Sequence, residues 1–127
     1  LSSTHVFITL GTAWVYEKLD TNQIVANCHK APQAHFRKVL QSPEQITSDL
    51  SKIKEVVRSL NPKAKLIFTV SPVRHLKDGM IENQRSKAHL LSGLHQHLDE
   101  DKDDYYFPSY ELLLDDLRDY RFYGSDL

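Results

Sequence analysis

Apolar and polar positions fall into short runs whose period changes along the chain. Val6-Phe7-Ile8-Thr9-Leu10 is a β-rich run closed by Gly11, which predicts a buried strand with a sharp turn at its carboxyl end. Residues 23–26 predict a second, shorter strand with residues 17–22 as its turn, and residues 31–40 a short helix. Ser42-Pro43-Glu44-Gln45 is a helix start, with Ser as cap, Pro in the first turn and Gln three residues after the cap. Ile46, Leu50, Ile53, Val56, Val57 and Leu60 follow as one helical stripe, and Asn61-Pro62 ends it. Leu66-Ile67-Phe68-Thr69-Val70 does not alternate, as expected of a parallel strand covered on both faces. A loop from Ser71 to about Gly79 then leads to a helix from about Glu82 to Leu98, with Leu90, Leu91, Leu94 and Leu98 inward. The run 99–104 reads as a solvated acidic turn, Tyr105-Tyr106-Phe107 as a brief strand, and Ser109 as the start of a last short helix through Leu117.

Strands and helices alternate at βαβ spacing. That predicts one α/β domain over residues 1–127: a parallel sheet with helices on both faces. No repeat, linker or low-complexity tract interrupts it.

The 127 residues, 40% of them apolar and 26% charged, suffice for a core and argue against a disordered chain. No apolar run approaches the ~18–20 residues of a membrane span. The net charge of −1 gives no bulk electrostatic reason to expect nucleic acid or an anionic membrane as partner. That near-neutrality hides an asymmetry. Residues 1–98 hold 13 basic and 7 acidic residues, whereas residues 99–127 hold 3 basic and 10 acidic. The two parts are expected to face each other. The single cysteine, Cys28, excludes an intrachain disulfide and makes a reducing, cytoplasmic compartment the default expectation. The chain begins at Leu1 and its one methionine is Met80, so it reads as a crop of a longer protein.

Open parallel sheets bind ligands beyond the carboxyl ends of their strands, which directs attention to Gly11-Thr12-Ala13-Trp14, Ser71-Pro72-Val73-Arg74-His75 and Pro108-Ser109-Tyr110. In the second segment a hydroxyl, a guanidinium and an imidazole lie within five residues. Arg74 and His75 suit an anionic or carbonyl-bearing substrate, and His75 suits proton transfer. The plainer alternative is a strand exit in which Ser71 caps backbone groups and Arg74 pairs with the acidic tail. Cys28 and His29 are adjacent and rarely converge on one reacting atom, so Cys28 reads as a small apolar residue. Asn27 offers a side-chain amide to a developing oxyanion. The seven histidines include no i, i+4 pair on a helix, so no metal site is expected. Asp99, Asp101 and Asp103 begin like a calcium loop, but Asp104 and Tyr110 stand where Gly and Glu are needed. There is no Walker loop or Gly-x-Gly-x-x-Gly, and no cofactor is expected.

Several of these segments together resemble one family. Residues 8–17, 25–30, 68–79, 106–111 and 116–123, in that order, are similar to the GSCFA family, a bacterial family found chiefly in Bacteroidetes and related to the SGNH (GDSL-like) hydrolases. The resemblance implies a flavodoxin-like three-layer fold and a serine esterase or acyltransferase acting on O-acylated substrates such as carbohydrates. Residues 8–11 resemble the strand leading into the superfamily's Gly-x-Asn-Asp block, with Gly11 as its glycine. Ala13 holds the place of the usual oxyanion asparagine, for which Asn27 is the substitute on this chain. Asp126 resembles the aspartate of the superfamily's Asp-x-x-His, and the histidine would fall two residues past Leu127. The Gly-Ser-Cys-Phe-Ala run is absent from these residues. The expectation is therefore the carboxyl-terminal part of the domain, lacking the nucleophile strand and inactive by itself. Asp126 would be catalytic, and Gly11, Asn27, Ser71, Arg74 and His75 would line the pocket. A small-molecule or carbohydrate ester is the expected substrate, and self-association through an open sheet edge is expected as well. The competing reading is a catalytically silent carbohydrate- or small-molecule-binding module using Trp14, Arg74 and His75.

Overall fold

The structure is a computed structural model and describes residues 3–25 and 32–118. Strand β1 (His5–Leu10) pairs in parallel with β5 (Lys65–Val70), which pairs in parallel with β6 (Tyr105–Tyr106). Helix α1 (Pro43–Leu60) leads into β5, and α2 (Met80–Glu100) runs back from β5 towards β6. The fold is α/β with a parallel sheet, as the alternating pattern predicts.

Both crossovers advance the same way across the sheet, and right-handed connections then place both helices on one face. There Ile46 and Leu50 of α1 and Leu90 and Leu94 of α2 close over Leu66, Phe68 and Val70, with Val6, Ile8 and Leu10 beside them. On the other face Ser109, at the start of α3 (Ser109–Glu111), bonds the Thr69 hydroxyl at 2.5 Å, while Phe7 and Tyr105 remain exposed. A π-helical turn, Leu112–Asp116, follows α3. No helix among the described residues is long and apolar enough to cross a membrane.

Between β1 and α1 the chain forms a small antiparallel sheet of order β3-β2-β4, made of β2 (Trp14–Lys18), β3 (Ile24–Val25) and β4 (Phe36–Leu40). This corrects two expectations. Residues 36–40 are a strand rather than a helix, preceded by a 3₁₀ turn at Gln33–His35. Pro32 disfavours helix in the residue before it, and β4 gains all five residue pairings with β2. Glu17 and Lys18 are likewise strand, not turn; the reversal spans residues 19–22, with Asn22 at φ 52° donating its N–H to the Lys18 carbonyl.

Two further expectations need correction. The α1 stripe is buried only in its first half, since Ile53, Val56 and Leu60 are exposed. The run 99–104 is not wholly solvated either: Asp104 is buried, accepts a hydrogen bond from His97 Nε2 at 2.9 Å and has Lys54 at 3.5 Å. A buried carboxylate needs such partners, and a composition-based reading of a charge run does not supply them.

The expected helix start is present in full. Ser42 Oγ accepts from Gln45 N and Gln45 Oε1 accepts from Ser42 N. The helices meet at Gly93, where a Cβ would stand 2.6 Å from the Pro43 carbonyl oxygen and 2.8 Å from Ile46 Cβ. Thr47 Oγ1 also donates to the Gly93 carbonyl at 2.9 Å. Backbone cannot yield as a flexible side chain does, so Gly93→Ala is expected to destabilise by about 1–3 kcal/mol, read as a lower urea midpoint with an unchanged slope.

Among the described residues β1 is paired on one side only. An open apolar edge invites pairing with another chain. Concentration-dependent dimers are expected in sedimentation velocity, and Phe7→Lys should reduce them. A monodisperse monomer at about 100 μM, roughly 10- to 100-fold above the Kd of a modest protein contact, would contradict this.

Candidate functional site

The parallel register sets Leu10 beside Val70, so Gly11 and Ser71 leave the sheet as neighbours. Ser71 N donates to the Leu10 carbonyl at 2.9 Å. Lys87 rises from α2 beneath them, fully buried, and its Nζ donates to the carbonyl oxygens of Gly11 and Ser71, each at 2.7 Å. The rest of that face of α2 continues the pattern. Ser86 Oγ accepts from Ala13 N at 2.7 Å and bonds Thr12 Oγ1 at 3.0 Å. Asn83 Oδ1 accepts from His75 N at 2.9 Å. The Glu82 carbonyl accepts from Trp14 Nε1 at 3.3 Å. One helix therefore fixes both loops at the carboxyl ends of β1 and β5.

These loops border a cleft of ≈ 430 Å³ lined by Thr12, Trp14, Tyr16, Lys38, Arg74, His75, Lys77 and Asp78. Trp14 and Tyr16 alternate with Val15 on β2 and so share one face of that strand. Lys38 of β4 crosses the cleft to pair with Asp78 and lies 5.0 Å from the centre of the Trp14 ring. Gly79, at φ 84°, supplies the left-handed turn that starts α2 directly after Asp78.

Of the residues expected at the site, Arg74 and His75 line the cleft, and Trp14 joins them. Gly11 lies behind His75; a Cβ there would stand 3.8 Å from His75 Nε2. Ser71 is a turn residue, its hydroxyl accepting from Val73 N at 3.2 Å and its carbonyl from Lys87. Asn27, Cys28, His29 and Asp126 lie outside the described residues. Sequence reasoning missed Lys38, Lys77 and Asp78 of the cleft, and the supports Asn83, Ser86 and Lys87. A signal for the supports existed, because positions 83, 86 and 87 continue the helical stripe of Leu90 and Leu94.

Two other places need a chemical reading. Ser51 Oγ, His97 and Asp104 are connected in the order of a catalytic triad, with 3.4 Å from Ser51 Oγ to His97 Nδ1. The Ser51 hydroxyl is closer to the Thr47 carbonyl, at 3.1 Å, and the imidazole is buried edge-on against Phe68. That geometry anchors the carboxyl end of α2 and leaves the hydroxyl directed at its own helix. A shallow depression of ≈ 370 Å³ along α1 includes Gln41, Asp49 and Lys52, whose polar groups already bond one another.

The fold and the cleft define a parallel α/β unit with a polar cleft at the carboxyl ends of adjacent strands. The model of the GSCFA family matches residues 1–127, and the chain belongs to that family. Comparison with curated proteins and with solved structures gives no match.

Burial holds the Lys87 ammonium at a pKa of about 8, well below the ordinary lysine value of 10.5. The unfolded chain keeps that proton to higher pH than the folded one. The charged form thus costs folding roughly 3 kcal/mol below pH 8, and the cost is relieved as pH rises from 8 towards 10.5. Relative to Lys87→Met, the wild-type chain is expected to gain stability between pH 7 and pH 9.5 in urea titrations. A constant difference across that range would refute the assignment.

Proposed function

We propose that this chain forms part of the active-site domain of an SGNH-like serine esterase or acyltransferase that acts on O-acylated substrates such as carbohydrate esters. The observation that carries the reading is the joint fixing of the β1 and β5 loops by α2, which opens a cleft with His75 and Arg74 where parallel α/β folds bind ligands. The resemblance of residues 8–11 and of Asp126 to the superfamily's motifs supplies the reaction class. A serine hydroxyl attacks the acyl carbon and gives its proton to a histidine. The ester C–O bond breaks as the alcohol takes that proton, and water or a second alcohol then receives the acyl group. On this reading the role of orienting the histidine falls to Asp126 and that of stabilising the oxyanion to Gly11 and Asn27, as the resemblance implies. Serine and histidine have no counterpart at matching positions in these 127 residues, and turnover is expected only where both are present.

One observation favours the second reading, a silent binding module. Ser71 is spent on a turn and is not part of the cleft lining, whereas Trp14 and Tyr16 in that lining offer ring surfaces suited to a sugar. The two readings separate by experiment. A parent chain carrying both residues is expected to be labelled at serine by a fluorophosphonate probe, and Asp126→Asn is expected to slow p-nitrophenyl acetate turnover by about 10⁴-fold. The 127-residue chain alone should show neither reaction. A parent that resists the probe and hydrolyses no ester leaves the binding module.

A further inference from the structure

The two walls of the cleft are held in different ways. One wall carries Trp14 and Tyr16 of β2 and Lys38 of β4. Trp14 is fixed there: its backbone pairs with Leu40, and its Nε1 donates to the Glu82 carbonyl at 3.3 Å. The other wall is the segment after β5, anchored where Ser71 N donates to the Leu10 carbonyl and His75 N to Asn83 Oδ1, each at 2.9 Å. Beyond His75 the chain makes a 3₁₀ turn, Leu76–Asp78, in which Asp78 N donates back to the His75 carbonyl at 3.2 Å. Gly79 follows at φ 84°, with open space where a Cβ would stand, so it serves the backbone turn and not a close contact. Asp78 of this turn pairs with Lys38 of the opposite wall. Lys38 stands directly across from Tyr16 in the β2–β4 ladder, and its Nζ lies over the Trp14 ring, 5.0 Å from the centre. Both side chains of the pair stay partly in water, 34% and 23% exposed. Such a pair is screened by salt and shifts a two-state ratio by about fivefold at most. Firm anchors at Trp14 and His75, a glycine turn after Asp78 and one weak pair between the walls are the parts of a closure that opens readily.

From this arrangement we propose that Lys38 and Asp78 form a strap across the cleft, and that the structure shows its closed state with Lys38 laid over the Trp14 ring. When the pair parts, the turn 76–78 swings between His75 and Gly79, and the ring is uncovered to a ligand. A strap serves a reacting substrate and a merely bound ligand alike, so it stands apart from the choice between esterase and binding module.

Trp14 is the one tryptophan of the chain, so quenching of its emission by acrylamide, a neutral probe, reads how open the ring is. Asp78→Asn and Lys38→Gln are each expected to raise the quenching constant about twofold. Wild-type protein should rise towards them as salt increases from about 20 to 500 mM. The double variant should match the single ones, because all three remove the same pair, whereas independent effects would add. Glu17→Gln breaks the Arg37–Glu17 pair on the same small sheet and should change nothing. Hydrogen exchange locates the movement. In Lys38→Gln the Asp78 amide should exchange about threefold or more faster, while the Ser71 and His75 amides keep their wild-type protection. Unchanged quenching in Asp78→Asn, no response of the wild type to salt, or additive effects in the double variant would overturn the proposal. So would lost protection at Ser71 and His75, which marks general loosening of the cleft. Failure of fluorophosphonate labelling bears on the esterase reading alone and would leave the strap standing.

Discussion

A primary ammonium carries three hydrogens, and buried Lys87 uses two of them on the carbonyl oxygens of Gly11 and Ser71. Those carbonyls are the first beyond the ends of β1 and β5, where the parallel ladder has stopped and no further strand residue can satisfy them. Left bare, each would carry the desolvation penalty of a buried polar group, about 1–3 kcal/mol. Two carbonyls at 2.7 Å therefore set a lower limit on what the lysine must supply, against roughly 3 kcal/mol for keeping it charged below pH 8. The opposing quantities are similar in size. The arrangement holds because the same helix turn also satisfies Ala13 N through Ser86 and His75 N through Asn83. Helix, strand ends and cleft walls are coupled through these four backbone groups.

That coupling requires α2 to stand at one height and one rotation, and its other contacts enforce this. Gly93 lets α1 approach until no Cβ would fit, which fixes the helix separation in the middle. At the far end His97, Asp104 and Lys54 form a buried charged cluster, with His97 edge-on to Phe68 under the sheet. Removing one partner from such a cluster strands the others in a poor solvent, so its geometry tolerates little drift. Polar bonds at the cleft end, a steric stop in the middle and ion pairs at the far end together leave α2 little freedom to slide.

The regular part of this design is legible in the sequence. The Ser42 cap, the Leu66–Val70 run and the leucines of α2 each express a local rule that the tertiary structure does not override. Apart from the exposed second half of the α1 stripe, the failures are of one kind: polar groups and short strands whose roles depend on distant partners. Residues 36–40 are a strand because β2 stands beside them, and no helical or strand period within ten residues encodes that neighbour. Asn83, Ser86 and Lys87 look like the wet side of an amphipathic helix only when polar residues are assumed to face water. They lie on the same stripe as Leu90 and Leu94, and a polar residue on an apolar stripe marks a satisfied buried group. In the cleft, Arg74 and His75 were legible because a buried strand ends at Val70, four and five residues before them. Lys38 and Asp78 were not, since they meet across 40 residues of chain.

The charge asymmetry read from composition is met in part by contacts between the two stretches of chain. Part of the carboxyl-terminal acidity is consumed internally, Asp101 and Asp104 against Lys54 and His97 at the amino ends of the strands. The described cleft lies at the opposite end of α2, where one carboxylate meets three cations. Helix α2 starts beside the cleft and ends beside the acidic cluster, and its dipole puts partial positive charge at the cleft end. Asp101 and Asp104 gather at the opposite end, where the dipole of α2 is negative and opposes them, so it is Lys54 and His97 that hold these carboxylates in place.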